Sequence, residues 1–189
     1  MSKTGHHQKI SQERSKNLLA LLKRLNIAPS QITDLFESHS IQLALIDEAL
    51  THTSAMTAKN HERLEFLGDA VLRLAASEYI QEHFPSLTVG DRSALRAQIV
   101  SDAWLAEVGE KIKIKEIMLI GPKAMKDNTA SSTLQAEATE ALIGAIYECL
   151  KDINIINNWL TPHWNETSKN VLADPHRLNS KSALQEWSQ

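Results

Sequence analysis

Five carboxylate side chains in this 189-residue sequence are spaced so that they could act together. Three lie in the stretch HERLEFLGDAVL, residues 61–72, and two in the stretch LQAEATEALIGAIY, residues 134–147. They are Glu62, Glu65 and Asp69 in the first stretch and Glu137 and Glu140 in the second. A helix has about 3.6 residues per turn, so residues three or seven apart share one face. Each stretch would therefore present its acids as a stripe of negative charge.

Packed side by side, two such helices would bring four or five carboxylates together. That arrangement is tolerable only if a cation neutralises the acids or if their pKa values are raised. Oxygen ligands without cysteine or clustered histidine match hard cations such as Mg²⁺ or Mn²⁺. Such a site can activate water and stabilise the charge that develops on a phosphodiester. A di-iron site matches less well, because its Glu-x-x-His motif is missing from both stretches.

A solvated helix face is the other interpretation of these acids, because glutamates three residues apart are usual on exposed helices. Gly68, inside the first stretch, argues against it. Glycine within a helix costs roughly 1 kcal/mol relative to alanine and tends to mark the close approach of another backbone. The approaching backbone could belong to a second helix at the site or to a partner chain. From spacing alone, metal site and solvated face both stay open.

Apolar residues at helical spacing predict the elements that carry these acids. The helix over residues 61–83 has a predicted core stripe of Leu64, Leu67, Val71 and Leu74. Further helices are predicted over residues 15–27, 41–55, 91–112, 133–151 and 153–172, with a short strand or a helix end at 111–122. Seven or eight helices with hardly any strand predict an all-α bundle.

The composition and length are those of one globular domain, with room for an appendage. A hydrophobic content of 42% and a charged content of 23% are ordinary for such a domain. The single Cys149 excludes a disulfide framework and a multi-thiolate zinc site, and it indicates a reducing compartment. No apolar run approaches the roughly 18 residues that span a membrane, and the polar N-terminus lacks the apolar segment of a signal peptide. We therefore expect a cytoplasmic protein.

The formal net charge of −3 is a constraint on any nucleic-acid function. A protein that holds nucleic acid through phosphate contacts alone is usually strongly basic. Nucleic-acid binding by this chain would therefore need local basic patches, bound cations or a separate basic module.

The stretch HERLEFLGDAVL closely resembles the signature of the ribonuclease III family. The segments ALTHTSA (49–55) and SALRAQIVSDAWLA (93–106) resemble the helices before and after that signature, and LQAEATEALIGAIY resembles the second acidic motif. The terminal NSKSALQEWSQ resembles the start of a double-stranded-RNA-binding domain. The resemblance implies a disordered polar tail (1–14), a catalytic domain (15–165), a linker (166–178) and the start of that binding domain (179–189).

By resemblance, the chain is a Mg²⁺-dependent endonuclease of double-stranded RNA that acts in rRNA and mRNA processing, with Mn²⁺ as a possible substitute. It would work as a homodimer in which each subunit's site cuts one strand and leaves 5′-phosphate and 3′-hydroxyl ends. The resemblance implies neither a membrane nor an organic cofactor. A catalytically weak relative that binds structured RNA without cutting it is the alternative, but retention of all five acids favours the enzyme. A helical interaction module would leave the acids unexplained.

The resemblance also assigns roles to residues by position. The implied metal ligands are Glu65, Asp69, Glu137 and Glu140. Asp69 and Glu140 are expected to matter most for catalysis, and Glu62 to shape the site near the RNA and the dimer interface. Glu137 stands where the family normally has aspartate, and an extra methylene can move a ligand oxygen by about 1 Å, so we expect weakened or retuned metal binding.

Two further residues of the signature are assigned by resemblance to the dimer interface. Phe66 matches an aromatic residue that plugs a socket on the partner subunit, and Gly68 lies beside it in the same stretch. On pattern alone, an ordinary core residue is the favoured interpretation of Phe66.

Overall fold

Helices form almost all of the regular structure in the computed structural model, which describes residues 10–25, 27–28, 30, 41–125 and 130–174. Within these ranges the helices are α1 (Gln12–Leu22), α2 (Ile41–Ala49), α3 (Glu62–His83), α4 (Val89–Ile99), α5 (Asp102–Lys111), α6 (Pro122–Met125), α7 (Ser131–Leu150) and α8 (Ile153–Ala173). Short 3₁₀ turns lie at Thr53–Ala55 and Ile114–Glu116. The β pairing in the described residues is one bridge between Thr51 and Leu119. The predicted all-α class is confirmed.

The two acid-bearing helices, α3 and α7, pack along each other at the centre of the bundle. Helices α2 and α5 lie against α7, while α4 and α8 lie against α3. Helix α8 contributes the fully buried Trp159 and Trp164, and the Trp164 indole nitrogen donates to the carbonyl of Ile99 at 3.0 Å. The outer helices therefore enclose α3 and α7 and fix how these two face each other.

Two glycines bring the backbones of α3 and α7 into direct contact. A Cβ atom added at Gly68 would lie 1.9 Å from the carbonyl oxygen of Glu140, and one added at Gly144 would lie 2.1 Å from that of Leu64. Both separations are far below van der Waals contact, so only glycine fits at either position. Of the two alternatives left open for Gly68, the structure shows close helix packing within the chain. The assignment of Gly68 to a dimer interface is therefore not supported by its position.

The buried face of α3 differs from the predicted core stripe. Leu74 is 54% exposed and Leu67 is only half-buried, so the prediction for Leu74 is wrong. The buried residues of the helix are Leu64, Gly68, Val71, Leu72, Ala75, Ala76, Tyr79 and Ile80. Three of these buried residues, Gly68, Ala75 and Ala76, are small, so the face of α3 that packs against its neighbours is not its most apolar one. A pattern that weights only large apolar residues misses this face.

The predicted helix over residues 91–112 is two helices, α4 and α5, which are separated at Val100 and Ser101. Each has its own cap: the Thr88 hydroxyl accepts the N–H of Asp91 at 3.2 Å, and the Ser101 hydroxyl accepts that of Trp104 at 3.3 Å. Serine followed by an acid is a common helix start, so the second cap overrides the continuous apolar spacing. The segment 111–122, left open between strand and helix end, forms a 3₁₀ turn and the Leu119 bridge.

The ends of the predicted domains fall partly outside the described residues. Helix α1 begins at Gln12, inside the predicted tail, and α8 continues to Ala173, inside the predicted linker. Residues 1–9 and 175–189, including the predicted start of an RNA-binding domain, lie outside the described residues. No helix in the described ranges is both long and apolar enough to cross a membrane.

Candidate active site

All five predicted acids line one open cleft of about 670 Å³ between α3 and α7. The acids of α3 lie in its first two turns, and those of α7 lie near its middle, opposite them. The glycine contact sets this register, because the carbonyl that touches Gly68 belongs to Glu140 itself. The convergence predicted from the two stripes is therefore what the structure shows.

The start of α3 is suited to acidic residues. The Asn60 side-chain oxygen accepts the N–H of Glu62 at 3.0 Å and so partners one of the free N–H groups at the helix end. Glu62 and Glu65 lie in the first turn of the helix, where the helix dipole favours negative charge. The local sequence thus tolerates charges that would repel each other in the middle of a helix.

Glu140 has the most perturbed carboxyl group in the cleft. Burial, followed by the negative charges of Asp69 and Glu65, raises the pKa of Glu140 to about 7, and Arg73 opposes this shift. The Glu65 pKa is also raised, mainly by burial, while His61 opposes the rise. Burial and the neighbouring acids therefore disfavour the ionised form of both carboxyl groups.

Arg73 is the cation that lies next to Asp69. Its Nε donates to Asp69 Oδ1 at 2.7 Å, one turn along α3. Both side chains are about half exposed, so the pair is screened by solvent and fixes the orientation of Asp69 more than it adds stability.

Two histidines line the cleft beside the carboxylates, which the expectation of ligands without clustered histidine did not include. The Nε2 atoms of His52 and His61 lie 3.7 and 3.5 Å from the same atom, Glu137 Oε2. His61 Nε2 also lies 3.3 Å from Glu65 Oε2. His61 precedes Glu65 by four residues, which is a helical spacing that could have indicated their contact. For His52, which follows α2, the sequence holds no such signal.

Asp102 is a third residue that sequence reasoning missed. It opens α5, and its charge raises the pKa values of both Glu65 and Glu140. It therefore adds a sixth acid to the electrostatics of the cleft, although it was not part of either acidic stripe.

Phe66 lies at the mouth of the cleft with 84% of its surface exposed. The alternative that Phe66 is an ordinary core residue is therefore wrong. The exposed ring is therefore accessible to a binding partner at the mouth of the cleft.

A family model described as ribonuclease-III-like matches residues 42–149, which include the five acids and both histidines. The chain belongs to the ribonuclease III family. Among its ribonuclease III relatives, Ribonuclease 3 of Prochlorococcus marinus is 61% identical over 95% of this chain and 72% of its own length. A protein called Ribonuclease 3 2, of Synechocystis sp., is 38% identical over 93% of this chain and 69% of its own length. The predicted family and its endoribonuclease class are confirmed.

The fold agrees with a solved ribonuclease III structure. The nuclease domain of the Campylobacter jejuni enzyme superposes with a TM-score of 0.62 at 30% identity, over 72% of this chain and 97% of that domain. That domain is described as structurally flexible in a region involved in dimer formation. The ribonuclease III nuclease fold is therefore the fold of this chain.

Proposed function

We propose that this chain hydrolyses phosphodiester bonds of double-stranded RNA with the help of a divalent cation, leaving 5′-phosphate and 3′-hydroxyl ends. The observation that carries the proposal is the convergence of the α3 and α7 acids in one open cleft. Membership of the ribonuclease III family supports the same reaction. Processing of rRNA and mRNA is the role that we infer for it.

The donor set fits Mg²⁺, with Mn²⁺ as a substitute. Glu65, Asp69 and Glu140 offer carboxylate oxygens, which hard cations prefer. The raised pKa values of Glu65 and Glu140 support this fit, because burial and neighbouring acids disfavour their ionised forms and a bound cation would offset both effects. When bound, the cation would supply a nucleophilic water near neutral pH and stabilise charge on the phosphate.

Each acid has its own part in the proposal. Asp69, held by Arg73, and Glu140, held by the contact at Gly68, would bind and orient the cation from opposite helices. Glu62 lines the cleft from the exposed start of α3, where it would shape the approach of the RNA. Glu137 is turned toward His52 and His61, which supports the expected retuning of metal binding by this longer side chain.

We infer that the active form is a homodimer in which each subunit's cleft cuts one strand. The exposure of Phe66 at the mouth of the cleft supports this inference, because a second copy would bury it. Duplex RNA would be selected by its A-form shape and 2′-hydroxyl groups more than by its base edges. The catalytic domain over 15–165 and the cytoplasmic location stay predictions.

The proposal is tested by incubating the chain with end-labelled duplex RNA at low salt, in Mg²⁺ or in EDTA. We expect cutting in Mg²⁺, none in EDTA, and a loss of about 100-fold or more in Asp69→Asn, since one catalytic group commonly contributes that much. Glu82→Gln is the matched control: Glu82 is an exposed acid of the same helix outside the cleft, and the variant should cut normally.

Two outcomes would contradict the proposal. Cutting that persists in EDTA or in Asp69→Asn would exclude the metal mechanism at these acids. Binding of duplex RNA without cutting, at every Mg²⁺ or Mn²⁺ concentration, would identify the chain as a non-cleaving relative.

A further inference from the structure

We propose that His52, His61 and Glu137 form a binding site for a borderline-soft divalent cation such as Zn²⁺, beside the carboxylates proposed to bind Mg²⁺. Their three potential ligand atoms lie within 4.8 Å of one another. Two imidazoles and one carboxylate are a donor set that suits Zn²⁺, whereas Mg²⁺ prefers oxygen. The cluster is therefore chemically distinct from the acids around Asp69 and Glu140.

His61 is the central residue of the cluster. Its side chain is only 6% exposed, and its Nδ1 lies 3.3 Å from the carbonyl oxygen of Thr51. A carbonyl oxygen accepts only, so Nδ1 carries a proton, and in the neutral ring the Nε2 lone pair faces the cleft. A backbone carbonyl that fixes the tautomer in this way is the usual outer partner of a metal-binding histidine.

The surroundings of His61 Nε2 are negatively charged and would favour a cation. Carboxylate oxygens of Glu65 and Glu137 lie 3.3 and 3.5 Å from this atom, so a neutral ring would point its lone pair at two acceptors. Protonation of Nε2 would turn these contacts into ion pairs, whereas a metal cation would bind the Nε2 lone pair and a carboxylate oxygen directly.

His52 provides the second imidazole. Its ring lies nearly parallel to that of His61, at 16° and 5.1 Å between centroids, and its Nε2 approaches the same Glu137 oxygen at 3.7 Å. Without a metal, Nδ1 accepts the N–H of Ser54 at 3.1 Å. When Nε2 binds a cation, Nδ1 carries the ring proton and donates to the Ser54 hydroxyl, which lies 2.7 Å away.

Two of the three separations between ligand atoms are close to those that a metal requires. Ligands at about 2.0–2.1 Å around a tetrahedral Zn²⁺ lie about 3.3 Å from one another. The nitrogen-to-oxygen separations of 3.5 and 3.7 Å exceed this value by a few tenths of an ångström. The two imidazole nitrogens lie within 4.8 Å of each other, so metal binding requires the half-buried His52 and Glu137 side chains to rotate toward the buried His61.

Glu137 links this site to the carboxylates. Its carboxylate approaches both imidazoles from α7, the helix that also carries Glu140. Occupation by Zn²⁺ would hold the Glu137 carboxylate on the histidine side of the cleft, away from the acids of the Mg²⁺ position.

The test uses Co²⁺ as a spectroscopic probe of the full chain, in a His6→Gln/His7→Gln background that removes the adjacent N-terminal imidazoles. We expect the strong visible absorption of four-coordinate Co²⁺, displaced by Zn²⁺ and not by Mg²⁺. His52→Gln and His61→Gln should each weaken Co²⁺ binding by about tenfold or more, since losing even an outer partner of a ligand costs that much. Thermal melting would verify that both variants are folded.

Two control variants separate this site from other sites on the chain. His83→Gln removes an exposed histidine outside the cleft and should leave the Co²⁺ spectrum unchanged. Asp69→Asn, which removes a proposed Mg²⁺ ligand, should also retain it.

The proposal is overturned if the wild-type chain gives only the weak spectrum of six-coordinate Co²⁺, or if folded His52→Gln and His61→Gln variants bind Co²⁺ as tightly as wild type. It is likewise overturned if Asp69→Asn removes the signal and the histidine variants keep it. The Co²⁺ titration contains no RNA, so its result does not depend on the proposed nuclease function. A failure of that function would be seen only in the cleavage assay.

Discussion

At the scale of single residues, we expect the buried acids of the cleft to lower the free energy of unfolding of the metal-free protein. Glu65 and Glu140 both have raised pKa values, and burial is the largest cause for each. A buried carboxylate without a nearby cation is unfavourable in the folded protein, although the same carboxylate can bind a metal. The acids of the cleft should therefore weaken the metal-free fold.

The first prediction concerns Glu140→Gln in EDTA. The Glu140 pKa is about 7 in the folded protein and 4.5 in a model peptide, so folding favours the protonated carboxyl. Its favourable contribution is complete below the unfolded pKa and is lost as pH rises through about 7. We expect Glu140→Gln to raise the free energy of unfolding by about 1–2 kcal/mol at pH 8, a value discounted for solvent screening, and by little at pH 5.

Urea unfolding at the two pH values measures this difference. Glu82→Gln, an exposed acid of the same helix, is the control and should change stability little at either pH. If Glu140→Gln destabilised the protein equally at pH 5 and pH 8, the charge of Glu140 would not be the cause.

At the scale of elements, the contact between α3 and α7 builds the site. Gly68 and Gly144 let the two backbones touch, and the contacting carbonyl belongs to the candidate ligand Glu140. Interiors are close-packed, so a side chain added here cannot be absorbed without moving a helix. The separation of the two helices and the position of Glu140 relative to Asp69 are thus set by one contact.

The second prediction follows from that contact. Gly68→Ala places its Cβ 1.9 Å from the Glu140 carbonyl oxygen, and we expect it to destabilise the fold by about 2 kcal/mol or more. The gain in helix propensity, about 1 kcal/mol, offsets only part of this loss. Because the helices must separate, the variant should also bind Mg²⁺ more weakly, which calorimetric titration would measure.

Gly90→Ala is the matched control for this prediction. Gly90 is an exposed helical glycine whose added Cβ would come no closer than 3.7 Å, to the Thr88 hydroxyl. This variant should be neutral or stabilised by up to about 1 kcal/mol. Similar losses of stability in both variants, measured by urea unfolding, would contradict a specific role for the Gly68 contact.

At the scale of the whole molecule, the exposed apolar residues near the cleft are the basis of the proposed homodimer. Phe66 is 84% exposed, although large aromatic side chains are usually buried in a monomer. Leu74, two turns further along the same helix, is 54% exposed. An apolar surface on the helix that carries the acids would bring two clefts near each other in a dimer.

The third prediction is that Phe66→Ala weakens the dimer by about tenfold or more, because buried aromatic residues often dominate interface energies. Sedimentation velocity over a range of protein concentrations measures the dissociation constant. Val89→Ala is the control, since Val89 is 81% exposed and lies beyond the far end of α3. A wild-type chain that stays monomeric, or equal weakening in both variants, would contradict the proposed interface.

The sequence by itself determined the all-α class, the helix that carries Glu62, Glu65 and Asp69, and the role of Gly68 as a point of close approach. These features depend on helical periodicity and on glycine, which are local properties of the chain. The sequence also contained the signal for the division between α4 and α5, because Ser101 is the N-cap residue of α5. The continuous apolar spacing across this residue led to the prediction of a single helix.

Only the tertiary structure decided which residues from distant segments meet. His61 lies beside His52 because the backbone N–H of His61 donates to the Thr51 carbonyl at 2.9 Å. Thr51 in turn forms a β-bridge with Leu119. Glu140 faces Asp69 because two glycines on different helices touch. Such meetings depend on packing and on hydrogen bonds between segments far apart in sequence, and local periodicity carries no information about either.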